Sequence, residues 1–86
     1  MGPAEIVKQA KQQVAELTGL KVEGASGFER NGEGWIVTVI ALELNRTPNT
    51  MDVLGTYEVL IGDDGELERF KRTGRTHRAA VEEGRA

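Results

Sequence analysis

The chain has 86 residues, of which 38% are hydrophobic and 29% charged, with a net charge of −3 and no cysteine. This is one domain with room for one modest core, and its composition is that of a folded domain, not a disordered chain. Disulfides and thiolate metal sites are excluded, which suits a reducing compartment. The start, Met-Gly-Pro-Ala-Glu, lacks the basic and apolar regions of a secretory signal, and the longest apolar run, Val39 to Leu42, is far short of the ~20 residues that span a bilayer. The expected location is therefore cytoplasmic, with no membrane contact.

In chain order, residues 3–18 carry Ile6, Val7, Ala10, Val14 and Leu17 at helical spacing. Pro3 suits the first turn and Gly19 the left-handed residue that ends a helix. Residues 21–30 read as a bent edge strand, because Gly24, Ala25, Ser26 and Gly27 interrupt the pattern between Val22 and Phe28. Asn31-Gly32 is a hairpin signal. Residues 35–44 form a strand with two apolar faces: Trp35, Val37, Val39 and Ala41 on one, Ile36, Ile40, Leu42 and Leu44 on the other. A helix covers one face of such a central strand. The other needs a cover too, either the C-terminal segment folded back or another chain.

Residues 45–52 are the longest irregular stretch, with a turn expected at Pro48-Asn49 and Asp52 placed to accept a hydrogen bond from a backbone N–H. Residues 53–61 and 66–72 complete the strands around a Gly62-Asp63-Asp64-Gly65 turn. The fold class is α+β: an amphipathic helix on an antiparallel meander of about four strands. Residues 1–75 form the domain. Residues 76–86 form a charged tail, flexible or a short helix capped by Thr76 and running through Val81 and Glu83.

Charge is unevenly spread. Seven acids and one base lie between Glu43 and Glu68, whereas Arg69, Lys71, Arg72, Arg75 and Arg78 follow with no acid among them. A basic cluster containing Phe70 is raw material for nucleic-acid binding. The acidic chain and the absence of a recognised motif argue against that reading, and strand alternation makes Phe70 a core residue. His77, the one histidine, sits among charges as a solvated side chain. No nucleophile with a base, phosphate loop or metal-ligand spacing is present, so neither an enzyme nor a cofactor is expected. A cup lined by Trp35 and Tyr57 would be the place for a small ligand.

One segment is more distinctive. Glu43-x-x-Arg46-x-Pro48-x-x-x-Asp52-Val53-Leu54-x-x-Tyr57-Glu58-Val59, together with Ala15-Glu16-Leu17-Thr18-Gly19, Gly34-Trp35-Ile36-Val37-Thr38-Val39 and Asp64-Gly65-Glu66-Leu67, resembles the gas vesicle protein O family. The likeness runs from Val14 to Arg75. Family members often have a more aromatic, Arg-rich end and an N-terminal extension. The resemblance implies a non-catalytic, cytoplasmic accessory protein of gas vesicle formation, associated with gas vesicles. Its partners would be other gas vesicle proteins, the shell subunit or accessory proteins, and no site residues carry over from the family. The residues singled out for partner binding are Arg46, Pro48 and Asp52 of the loop and Arg69, Lys71, Arg72 and Arg75 of the basic segment. The alternative is a nucleic-acid-binding regulator using residues 69–78.

Overall fold

The computed structural model describes residues 2–32 and 34–78. One helix, α1 (Pro3–Thr18), precedes four strands, β1 (Lys21–Asn31), β2 (Gly34–Leu44), β3 (Val53–Gly62) and β4 (Leu67–His77), with a 3₁₀ turn (Asn49–Met51) between β2 and β3. The strands form one antiparallel sheet in the order β1-β2-β3-β4, which is the expected meander.

Helix α1 ends where its sequence ends it. Gly19 takes a left-handed conformation (φ 71°) and its N–H bonds to Ala15 O at 2.9 Å. Ile6, Ala10 and Val14 recur every four residues and are buried. Leu17, expected on the same stripe, is instead 54% exposed. At that end Leu20 and Val22 of the descending chain pack against the core in its place.

The core lies between α1 and one face of the sheet. Its largest fully buried side chains are Ile6, Val14, Val37, Val39, Val59 and Ile61. Opposed pairs such as Val37–Val59 and Val39–Tyr57 set the register, because a one-residue slip would turn every apolar side chain to the wrong face. Trp35 stacks on Phe28 (4.6 Å) and Tyr57 on Phe70 (5.5 Å).

β1 is an edge strand with register shifts at Val22/Gly24 and Ala25/Gly27, the bend that its glycines announce. β4 departs from expectation. It runs to His77, not to residue 72, and Thr76 pairs with Leu54 as a strand residue. The reason is pairing: residues 73–77 have few apolar side chains, but the first half of β3 offers them a full backbone ladder. His77, read as part of a tail, is therefore the end of a strand, opposite Val53. The helix expected through Val81 and Glu83 lies outside the described residues.

The second face of the sheet is closed at one end, where Leu54 is 2% exposed and Arg78 reaches from the end of β4 to Glu23 of β1. Ile36, Ile40, Leu42 and Leu60 there are half-buried, while Val37, Val39, Val59 and Ile61 on the helix side are fully buried.

Candidate functional site

The long loop is held from within. Asp52 is only 3% exposed. One carboxylate oxygen accepts the Arg46 N–H at 2.8 Å and the other the Arg78 Nε at 3.1 Å, while the Asp52 carbonyl accepts the Arg78 N–H at 2.9 Å. This matches the turn-anchoring role expected of Asp52. Arg78 reaches on to Glu23 of β1 at 2.6 Å. That contact, more than any other, draws the Glu23 carboxyl below its usual range. The loop, the end of β4 and the edge strand β1 are thus tied at one point.

The loop itself faces outward. Its Thr47–Pro48 peptide is cis, and Arg46, Pro48 and Asn49 are exposed. Two large apolar residues flank it, Leu44 at 46% and Met51 at 47% exposure. The chain holds this segment in one shape and then leaves its own side chains in water.

A second cluster sits beside the loop. Glu43, the last β2 residue before Leu44, lies against Gly55, where a Cβ would come within 2.2 Å of its carboxylate. Only glycine leaves that space. Arg72 donates to both carboxylate oxygens at 2.7 Å, Tyr57 donates its hydroxyl at 2.5 Å, and Arg75 stands 3.8 Å away. The Arg72 hydrogen bonds, with help from Tyr57, bring the Glu43 carboxyl down to about 2. Burial and then the Glu43 contact push the Tyr57 hydroxyl up. A bidentate Arg–carboxylate pair with a third donor is a rigid clasp between β2, β3 and β4.

The seven residues singled out from sequence therefore fall into separate places. Arg46 and Pro48 are on the exposed loop. Asp52 is beneath it and faces inward, so its carboxylate acts on the loop's shape. Arg72 and Arg75 belong to the Glu43 clasp. Arg69 and Lys71 are on the second face of the sheet with Ile36, Glu58 and Leu60. The basic run is consequently not one positive patch. Arg72 and Arg78 are committed to carboxylates, Arg75 stands beside one, and Lys71 lies 4.0 Å from Glu58. Sequence reasoning missed Glu43, Tyr57, Glu23 and Arg78 as a framework. The signal was present, because Glu43, Asp52 and Tyr57 all fall within the distinctive run from Glu43 to Val59.

Among the described residues, no group of three or more His, Asp or Glu side chains is placed to hold a metal, and no helix is long and apolar enough to cross a membrane.

Residues 1–82 match the family model for "Gas vesicle synthesis protein GvpO". The chain belongs to the gas vesicle protein O family. It is 43% identical over 76 residues to "Gas vesicle protein O" of Streptomyces sp. (strain CB03234), covering 88% of this chain and 59% of that protein. It is 33% identical over 70 residues to "Gas vesicle protein O1" of Halobacterium salinarum, covering 74% and 59%. A third relative, "Gas vesicle protein O" of Haloferax mediterranei, is 32% identical over 79 residues, covering 84% and 56%. The chain thus spans 56–59% of the length of these relatives. No solved structure matches it.

Proposed function

We propose that this chain serves gas vesicle formation as a non-catalytic accessory protein in the cytoplasm, working by contact with other gas vesicle proteins. Family membership supports the process. The observation that carries the mode of action is the anchored loop: residues 45–51 are exposed, flanked by Leu44 and Met51, and fixed from below by a buried carboxylate. An ordered loop loses little conformational freedom on binding, and exposed apolar side chains beside a cation are the usual material of an anchor. In this reading Arg46, Pro48, Leu44 and Met51 contact the partner, while Asp52, Arg72 and Arg75 hold the surface in shape.

The test is a binding survey of the chain against each co-encoded gas vesicle protein, repeated with an Arg46→Ala/Met51→Ala double variant. Capture of at least one partner, reduced about tenfold or more by the double variant at unchanged thermal stability, is the expected result. Capture that the variant leaves intact would move the site elsewhere; no capture of any vesicle protein would end the reading. The rival, nucleic-acid binding through residues 69–78, has lost its main support, because most of those bases already face carboxylates.

A further inference from the structure

The strand register sorts the exposed charges to the two ends of the sheet. One end holds the β1–β2 and β3–β4 turns, where Asn31 pairs with Gly34 and Ile61 with Leu67. Glu29, Asp63, Asp64, Glu66 and Glu68 are exposed there, and Arg30 is bound to Asp63. The other end holds the loop. Lys21 lies opposite Leu42, Leu44 opposite Val53 and Arg75 opposite Gly55, and the last turn of α1 delivers the chain to Lys21.

At the loop end the carboxylates are used inside the molecule. Arg72 and Tyr57 hold Glu43, and Arg78 joins Asp52 to Glu23. The cations are not used in this way. Lys21 and Arg46 are exposed and take no part in the ion pairs among the described residues. Arg75 is 67% exposed and stands 3.8 Å from a Glu43 carboxylate that Arg72 already grips at 2.7 Å. Against these three, Glu16 on the last turn of α1 is the one described carboxylate at this end outside such contacts. Apolar side chains collect here too. Of the four large ones exposed among the described residues, Leu17, Leu44 and Met51 are at this end and Phe28 is not. Exposed apolar side chains rimmed by charge of one sign suit a partner of the opposite sign.

We infer that this end of the molecule receives an acidic segment of a partner protein, with its carboxylates on Lys21, Arg46 and Arg75 and its apolar side chains on Leu17, Leu44 and Met51. This rests on the loop being the partner surface, as proposed above, and says what the partner brings to it. The chain as a whole carries a charge of −3. An acidic partner is therefore repelled from the turn end and drawn to the loop end, so the separation of charge orients its approach. A nucleic acid fits less well, because three apolar side chains among three cations offer little to a phosphate backbone. An anionic membrane calls for a denser cluster of Lys and Arg.

Overlapping peptides of the co-encoded gas vesicle proteins, titrated with the full chain at low and at physiological salt and followed by fluorescence anisotropy, test it. The peptides that bind should be rich in Asp and Glu with apolar residues between them, and the higher salt should weaken them by about tenfold. Arg46→Glu should weaken binding by about tenfold or more, and Arg46→Lys by about threefold at most. Arg69→Glu makes the same change of net charge towards the turn end and should stay within about twofold of the parent. Melting temperatures of these variants should be unchanged, since both arginines are exposed. Binding that falls as far with Arg69→Glu as with Arg46→Glu, that ignores salt, or that selects neutral or basic peptides overturns the inference and leaves the proposed function standing. So does equal or tighter binding of duplex DNA or of phosphatidylserine vesicles. Where only an intact vesicle protein binds, the salt and charge arms are read on that protein. Capture of no peptide and no vesicle protein ends the proposed function, and this inference with it.

Discussion

The two faces of this sheet are made from nearly the same residues and have opposite fates. On one, Val37, Val39, Val59 and Ile61 lie under α1 at 0% exposure. On the other, Ile36, Ile40, Leu42 and Leu60 are one residue away in sequence and only half-buried. Glycine follows the same division. Gly55, on the helix side, is walled in by the Glu43 carboxylate, whereas Gly24, on the other side, faces empty space. Apolar content alone does not say which face is core. A face becomes core when the chain brings an element to cover it, as α1 covers Val37, Val39, Val59 and Ile61.

The sharpest way to break this contrast is to truncate neighbours on β3. Ile61→Ala should cost about 2–5 kcal/mol in urea unfolding of the dilute chain, by lost burial and the cavity left behind. Leu60→Ala should cost about 1 kcal/mol or less, since water already reaches it. Equal losses would mean that Leu60 is as well covered as Ile61 in the isolated chain. Next comes the buried anchor of the loop. Asp52→Ala removes the acceptor of two hydrogen bonds and leaves Arg78 with Glu23 alone, for an expected loss of about 3 kcal/mol in the same assay. Amide exchange should quicken across residues 45–52 of that variant.

The glycines test the contrast more finely. Gly55→Ala should destabilise by about 1–3 kcal/mol, because Arg72 and Tyr57 pin the carboxylate that would have to move. Gly24→Ala should be neutral or stabilising by up to about 1 kcal/mol. Thermal melts of the two would decide it.

Acid titration isolates the clasp. The folded Glu43 carboxyl sits at about 2, against 4.5 for an unperturbed one. A carboxyl depressed by folding stabilises fully above its unfolded value. Its contribution fades as pH falls from about 4.5 towards 2. Chemical denaturation of the chain and of Glu43→Gln across that window should converge as pH drops. A gap that stays constant would remove the ionic role assigned to Glu43. The smallest effect belongs to the exposed Arg30–Asp63 pair, 2.6 Å apart with both side chains about half exposed. Asp63→Asn should leave the melting temperature unmoved within error, as water and salt screen such pairs.

Much of this was open to reading from the residues. The helical stripe of Ile6, Ala10 and Val14, the stop at Gly19, the bulged β1 and the alternation of β2 and β3 all follow from local periodicity and backbone preference. The loop's importance was visible as a pattern, though its mechanism was not. Glu43 reads as one more acid in an acidic stretch, and Asp52 only as the acceptor of a backbone N–H within its loop. They are internal because Arg78 and Arg72 come from far along the chain to meet them, 26 and 29 residues away. The end of β4 was illegible for the same reason: Thr73 to His77 have no strand pattern of their own and are strand because β3 pairs with them.

By itself, then, the sequence determined the elements, the antiparallel meander, the lack of catalytic spacing and the family. These depend on short-range periodicity, on turn chemistry and on a compact run of residues from Glu43 to Val59. Only the tertiary structure decided which apolar side chains are buried under α1, which bases are spent on internal carboxylates and which charges stay in water. Those depend on contacts between residues distant in the chain. Such pairings follow from the way strands register against one another, not from the identity of any one segment.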